Sequence, residues 1–291
     1  MTSYPFDWVD AFTDKAFGGN GCAVVYDDGA LDVETCTKYV RETGLVECTF
    51  IGPSKVADIR VRYFFPTHEI PFAGHPTIAS VHSALERGVI SGPNVTIETN
   101  AGVIAIHVSD DGWITMTQNA PIFGDVIPAA RVAEVVGLLE ADFVGVPQVV
   151  STGLPFCVAV VKDLQTIRRA KANFAKLEAF QRDVRFEGTP VMEPYLVTHE
   201  GATSAGDTFG RLLLLPPSPA EDPFTGSATG CAASYLWRHD FLESPSYIAE
   251  QGHDLGRPGS ARVQVLGPRD AIEGVQVAGR GTTVMRGEVL L

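Results

Sequence analysis

Basic residues are in short supply. The chain has 22 Lys and Arg against 35 Asp and Glu, a formal net charge of −13, and a pI near 4.9. Proteins that hold nucleic acid concentrate Lys and Arg into patches, and no such cluster occurs here, so no nucleic-acid partner is expected. A small anionic ligand stays compatible, since a local site can oppose the global field. Cysteine is sparse too. Cys22, Cys36, Cys48, Cys157 and Cys231 are odd in number and widely spaced, with no Cys-x-x-Cys pair, which indicates neither a disulfide framework nor a zinc site. No apolar run reaches the roughly 18 residues of a membrane span, and Met1 to Asp10 shows no basic region leading into an apolar core. These absences predict a soluble chain in a reducing, cytoplasmic setting, without membrane or metal.

Familiar catalytic phrases are missing as well. His68-Glu69 and His199-Glu200 lack the second histidine of a His-Glu-x-x-His zinc motif. No Gly-x-Gly-x-x-Gly follows a strand, and there is no Walker loop. Gly226 directly precedes Ser227, so the Gly-x-Ser-x-Gly elbow of hydrolases is not formed.

What stands out instead is an uncharged stretch. From Pro71 to Leu85, through Gly74-His75-Pro76-Thr77, there is no Asp, Glu, Lys or Arg. Pro fits the first turn of a helix, and the small apolar residues behind it extend for about three turns. A helix with no charged face is expected to be buried all round. Its first amides then lack intrahelical partners and suit an anion. The pattern recurs at a shift of 152: Glu69/Glu221, Pro71/Pro223, Phe72/Phe224, Gly74/Gly226 and Thr77/Thr229 are identical, and Pro223 to Trp237 is again uncharged. Upstream, Arg62-Tyr63-Phe64-Phe65-Pro66 is echoed by Arg211-Leu212-Leu213-Leu214-Leu215-Pro216. Two unrelated buried helices with chance matches would give part of this. The repeated upstream phrase favours one supersecondary unit used twice.

The remaining pattern fills in around the two helices. Phe6 to Phe12 and Cys22 to Tyr26 read as strands. Asp32 to Thr43 reads as a helix with Asp32 as cap and Gly44 as stop. Leu45 to Ile51, Asp58 to Phe65 and three short runs between Val95 and Gln118 read as strands. Asn119 to Pro128 is the candidate linker. Ala129 to Leu139 reads as helical, and Gln165 to Phe180 as one charged outer helix. Val149 to Ser151, Phe156 to Val161, Tyr195 to Thr198, Phe209 to Leu215 and the tail read as strands. Each half then has one peripheral and one buried helix, and sheet wrapped around the buried one is the arrangement that hides it. A cleft between two such halves would be the natural ligand site.

Four polar residues are candidates for chemistry. Glu47, flanked by Val46, Cys48, Phe50 and Ile51, could be a desolvated proton acceptor, or an outward-facing strand residue. His75, at the first buried helix start, could exchange a proton as neutral imidazole, or serve only as a cap. Ser227, its counterpart, has the chemistry of an N-cap and could also hold a carboxylate. Asp222, extended before Pro223, could share a proton or merely solvate a loop.

At these residues the chain resembles the PhzF-like proteins of phenazine biosynthesis, which have the diaminopimelate-epimerase fold. The resemblance runs over essentially the whole length. It includes Val9-Asp10-Ala11-Phe12-Thr13, Gly19-Asn20, Glu47-Cys48-Thr49-Phe50, Arg62 to Thr77 and Thr152-Gly153-Leu154. It continues in Glu221 to Ser227, Gln251-Gly252 with Gly256-Arg257-Pro258, and Val277-Ala278-Gly279. It implies an α+β fold of two pseudo-symmetric domains, each a curved, mostly antiparallel sheet wrapped around a central helix. The expected division is 1–120 and 121–280, with the tail from about 280 to 291 packing back on the first.

The resemblance also implies a cofactor-independent isomerase that moves a proton within a small, cyclic or amino, carboxylic acid. On that reading Glu47, His75 and Asp222 are catalytic, while Gly74, Gly226 and Ser227 bind substrate. No metal or cofactor is implied, and a homodimer is. Gly21 replaces a usual proline, Gly259 is an extra residue before Ser260, and Phe224 is bulkier than the common small residue; these put the substrate in doubt. Two alternatives share the fold: a two-base epimerase or racemase, which would place a thiol at each helix start, and a non-catalytic small-acid binder.

Overall fold

The computed structural model describes residues 2–291. Two compact units emerge: one takes in residues up to Met116 with 217–219 and Ala278–Leu291, and the other Thr117–Pro216 with Ala220–Val277.

In the first unit, strand Ser3–Ala11 pairs antiparallel with Asn20–Tyr26 on one side and with the last strand, Gly281–Leu290, on the other. Asn20–Tyr26 continues parallel to Cys48–Gly52, which runs antiparallel to Ile59–Phe64. Next come Asn94–Thr99, parallel, and Gly102–Val108, antiparallel. Helix α1 (Val33–Thr43) connects the first parallel pair. Asp32 accepts from the Thr35 amide at its start, and Gly44 at φ 68° ends it, as the sequence suggests.

Helix α2 (Gly74–Glu86) connects the second parallel pair and packs on five strands of the sheet. Only His82, Leu85 and Glu86 escape full burial. Ile78 and Val81 have no exposed surface, and each contributes roughly 1.5–3 kcal/mol by leaving water. Successive strand residues face opposite sides. Cys48 and Phe50 pack with Cys36, Tyr39 and Val40 of α1, while Thr49 accepts a 2.9 Å bond from Ser80 of α2. Both faces of this sheet are therefore covered, which explains strands that are apolar without alternation.

Beyond the far end of α2, Asp7 is fully buried and collects bonds from Ser83 (2.7 Å), Arg87 (2.7 and 2.8 Å) and Arg286 (2.9 Å). Burial by itself would raise its pKa; these donors outweigh it and hold the carboxyl at about 2. The last strand is thereby fastened to the helix it covers.

The second unit repeats the connectivity. Ile122–Val126 and Gln148–Ser151 pair antiparallel, and the latter pairs with Pro155–Val160. Then Met192–Thr198 runs parallel, Thr208–Leu213 antiparallel, Ser246–Gln251 parallel and Gly259–Leu266 antiparallel. The counterpart of α2 packs against four strands; it is the last helix of this unit, Gly226–Arg238.

Two expectations are corrected. Residues 119–128 are not mere linker, because Ile122–Val126 is a sheet strand. The outer helix expected over Gln165 to Phe180 is divided in two, and with the helix expected from Ala129 this half has three peripheral helices rather than one: α3 (Ala129–Val136), α4 (Leu164–Arg169) and α5 (Phe174–Asp183). Asp163 and Asn173 each cap a new start by accepting from the amide three residues on. All three helices bury apolar residues in one cluster, Val132 and Val136, Ile167, and Leu177 and Phe180, over the sheet residues Val149, Leu196 and Phe209. With these numbered, the last helix, Gly226–Arg238, is α6.

The repeated upstream phrase has a physical explanation. Arg62 forks onto Glu69, two bonds of 3.1 Å, and donates to the Leu31 carbonyl. Arg211 forks onto Glu221 at 2.9 and 2.6 Å and donates to the Ile167 carbonyl. Each guanidinium thus ties the strand leading to a buried helix to backbone on the outer layer. The bidentate geometry is one lysine could not supply.

One buried acid is poorly matched to its place. Glu193 is 6 % exposed, accepts from Gln181 at 2.8 Å on one oxygen and finds no partner for the other. Burial lifts its pKa from 4.5 to about 6. A carboxyl raised on folding stabilises below its unfolded pKa and loses that contribution as pH climbs through the folded value. Glu193→Gln keeps the acceptor for Gln181 and removes the charge. In urea unfolding it should match the parent near pH 4.5 and exceed it by about 2 kcal/mol at pH 7.5; an equal gap at both pH values would refute the assignment.

Candidate functional site

In the first unit, the strand register gathers the candidates at one end. Asn20 opens its strand, Cys48 opens the parallel neighbour opposite Ala23, and Phe64 closes the antiparallel strand opposite Cys48. Glu47 lies one residue before that strand rather than within it, and is only 8 % exposed. An outward-facing Glu47 is therefore not what is found. Its charge contributes to raising both the Cys22 thiol and the Tyr63 phenol, although burial is the larger cause for each. Tyr63 itself reaches the first turn of α2: it donates a 2.8 Å bond to Thr77, whose own hydroxyl donates to the Ala73 carbonyl.

Gly74 and His75 are the first two residues of α2, and both are buried. The N-cap, Ala73, has no side-chain cap bond, and Pro76 in the same turn has no amide to offer. His75 is 3 % exposed. Its Nδ1 meets the Asn20 side-chain amide nitrogen at 3.1 Å, and its Nε2 is buried without a partner. Burial drops the imidazole pKa from 6.5 to about 3, so the ring is neutral at physiological pH.

The second unit builds an analogous corner with different polar groups. Asp222 is buried and accepts from the Thr225 hydroxyl at 2.6 Å. Gln251, with no exposed surface, secures this turn from four sides. It accepts from the Tyr195 phenol (3.1 Å) and the Thr225 amide (3.2 Å), and donates to the Asp222 carbonyl (2.7 Å) and the Thr225 hydroxyl (3.2 Å). Gly252 follows at φ 81°, where a Cβ would strike the Pro223 and Arg257 carbonyls, so the Gln-Gly phrase is a steric requirement.

The start of α6 differs from expectation in one respect. Thr225, not Ser227, is the N-cap, and it too makes no side-chain cap bond. Ser227 is the second helical residue and remains partly exposed. Gln118 spans this turn by donating to the Gly226 carbonyl (2.9 Å) and accepting from Thr152 (2.6 Å). A Cβ on Gly230 would fall on the Gln118 side chain, which gives that glycine its purpose.

The six predicted site residues thus form two groups, Glu47, Gly74 and His75 in one unit and Asp222, Gly226 and Ser227 in the other. Asn20, Tyr63, Gln118, Thr152, Tyr195, Thr225 and Gln251 support them and were not singled out for that role. Of these, Asn20, Thr152, Thr225 and Gln251 carried a signal, since each stands beside a glycine in the phrases behind the resemblance.

None of the five thiols lies at a helix start. All are free and buried. Burial pushes Cys36, Cys48 and Cys157 up to about 12 and Cys231 to about 11, and raises Cys22 as well.

Two repeated units, each a sheet around a buried and uncapped helix, define the class of protein this is. Comparison with known proteins assigns it further. Residues 9–287 match the model of the PhzC-PhzF family, described as phenazine biosynthesis-like protein, and the chain belongs to that family. An uncharacterized isomerase of Clostridium acetobutylicum is 30 % identical, the match covering 100 % of this chain and 99 % of that one. A trans-2,3-dihydro-3-hydroxyanthranilate isomerase of Pseudomonas aeruginosa is 28 % identical, over 97 % and 98 %. Among solved structures, the Bacillus anthracis phenazine biosynthesis protein of the PhzF family superposes with a TM-score of 0.87 at 29 % identity, covering all of both chains. Among the described residues no helix is long and apolar enough to cross a membrane.

Thiol chemistry has a direct test. Thiolate, not thiol, reacts with iodoacetamide, so the folded chain at pH 7.5 should take up almost no label over a time in which urea-unfolded chain gains five. Rapid labelling of Cys231 or Cys48 in the native protein, with loss of function, would restore a two-thiol epimerase reading.

Proposed function

We propose that this protein is an isomerase that moves a proton within a small carboxylic acid, with Glu47 as the acid/base group. What supports this most is the setting of two groups in the first unit: Glu47 is a buried carboxyl at the head of a sheet strand, and His75, at the uncapped start of α2, is a histidine kept neutral by burial. Kinship with proteins named isomerases agrees with it.

The chemistry follows from what each group can do. Glu47 as carboxylate takes a proton from a carbon adjacent to an unsaturated or carboxylate-bearing centre. The C–H electron pair enters the conjugated system, and negative charge grows on its oxygens. Helix-start amides and the His75 N–H lower the energy of that charge if they face it. The protonated Glu47 or another protonated group of the site then delivers a proton to a second carbon, and the double bond moves with no net change in composition. On this reading Gly226 and Ser227, at the uncapped start of α6, receive the substrate carboxylate. Asp222, held by Thr225 and Gln251, orients the substrate or shares its proton.

Solvent deuterium exchange into a bound small acid, read by mass spectrometry, tests the role of Glu47. Removal of a general base costs typically 10²–10⁴-fold, and Glu47→Gln should slow exchange by at least that while binding persists. Exchange that is unaffected by the substitution would overturn the mechanism. Binding without exchange in the parent protein would make it a small-acid binder.

A further inference from the structure

Asn20 and His75 are 55 positions apart in sequence and in contact in the fold. Asn20 is 1 % exposed. Its backbone is set at both ends: it pairs opposite Ala11 at the head of its strand, and Gly19 before it adopts φ 49°, in a spot where a Cβ would collide with the Ala11 carbonyl. A side chain launched from so constrained a position has little room to choose its direction. It presents its amide nitrogen to His75 Nδ1 at 3.1 Å. An amide N–H₂ can only donate, so the imidazole nitrogen facing it accepts and carries no proton. In a neutral ring the single proton must then be on Nε2, and Nε2 is the buried atom that has no partner.

We propose that Asn20 is a positioning residue that holds His75 in the Nε2–H tautomer, so that the histidine meets the ligand as a hydrogen-bond donor rather than as a base. This builds on the isomerase reading and sharpens it, because it removes His75 from the proton-carrying roles and leaves Glu47 as the group in the first unit that accepts the proton. A buried donor without an acceptor is costly, and the cost is recovered when an oxygen bearing partial negative charge arrives. A neutral imidazole is suited to that task, since it stabilises developing charge without surrendering its proton. Nothing charged assists in the opposite direction: the low affinity of His75 for a second proton arises from burial, with no carboxylate raising it.

The test needs no substrate. Two-bond proton–nitrogen spectra of the full-length, nitrogen-15-labelled protein at pH 7 report the protonation of each imidazole nitrogen, and His75→Gln identifies the His75 signals by their disappearance. The parent protein should show Nδ1 unprotonated and Nε2 protonated. Asn20→Asp replaces the donor by a carboxylate, so Nδ1 should become protonated; Asn20→Ala should give a mixture of tautomers. A protonated Nδ1 in the parent, or an unchanged pattern in both variants, would overturn the proposal. Should deuterium exchange prove absent while the tautomer is as expected, the isomerase reading fails and the positioning role stands. The reverse pair of results would discard the positioning role alone.

Discussion

A helix without a polar side is the constraint from which the rest of this structure follows. Neither α2 nor α6 has a face that water could wet over most of its length, so each must be surrounded, and a single packing partner cannot do it. A strongly curved sheet does. The helices use Gly, Ala, Ser and Thr at many positions, which lets strands approach closely and lets hydroxyls turn back to the helix's own carbonyls. Thr77 to Ala73 and Thr229 to Thr225 are the matched examples, both spanning four residues.

Full enclosure leaves one weak point, the helix start. Backbone amides there have no partner from within the helix, and neither N-cap supplies one from a side chain. In a stable protein that omission is a cost, and it occurs twice at equivalent positions. The surroundings are built with care in both places. A tyrosine reaches the threonine of the first turn in the first unit, and a buried glutamine, Gln251, makes three hydrogen bonds to the turn from Asp222 to Thr225 in the second. An orderly frame around two helix starts that lack side-chain caps is a consistent feature of both units rather than a local folding error.

Duplication supplied the frame, and divergence supplied the chemistry. The Arg62–Glu69 and Arg211–Glu221 forks are the same structural device used twice. The second residues of the two helices, in contrast, are His75 and Ser227, and the supporting side chains differ accordingly: Asn20 against the imidazole, Gln118 and Thr152 over the turn that carries the serine. Two copies of one fold therefore offer different polar groups at equivalent helix starts.

The repeat, the burial of both central helices and the caps of α1 were legible in the residues, because uncharged runs, proline spacing and capping chemistry are local properties; the residues left open whether Glu47 faces outward, and the fold shows it buried. The division of the outer helix into α4 and α5 was less visible. It depended on Asp163 and Asn173 acting as caps, a choice that burial of Leu177 and Phe180 settled. What only the folded chain decided was which polar atoms meet. Asn20 with His75 and Gln251 with Thr225 are long-range pairings fixed by strand register, and register is set by which faces must be dry. A sequence states which groups are available; only packing determines which nitrogen of a histidine meets a partner and which is left without one.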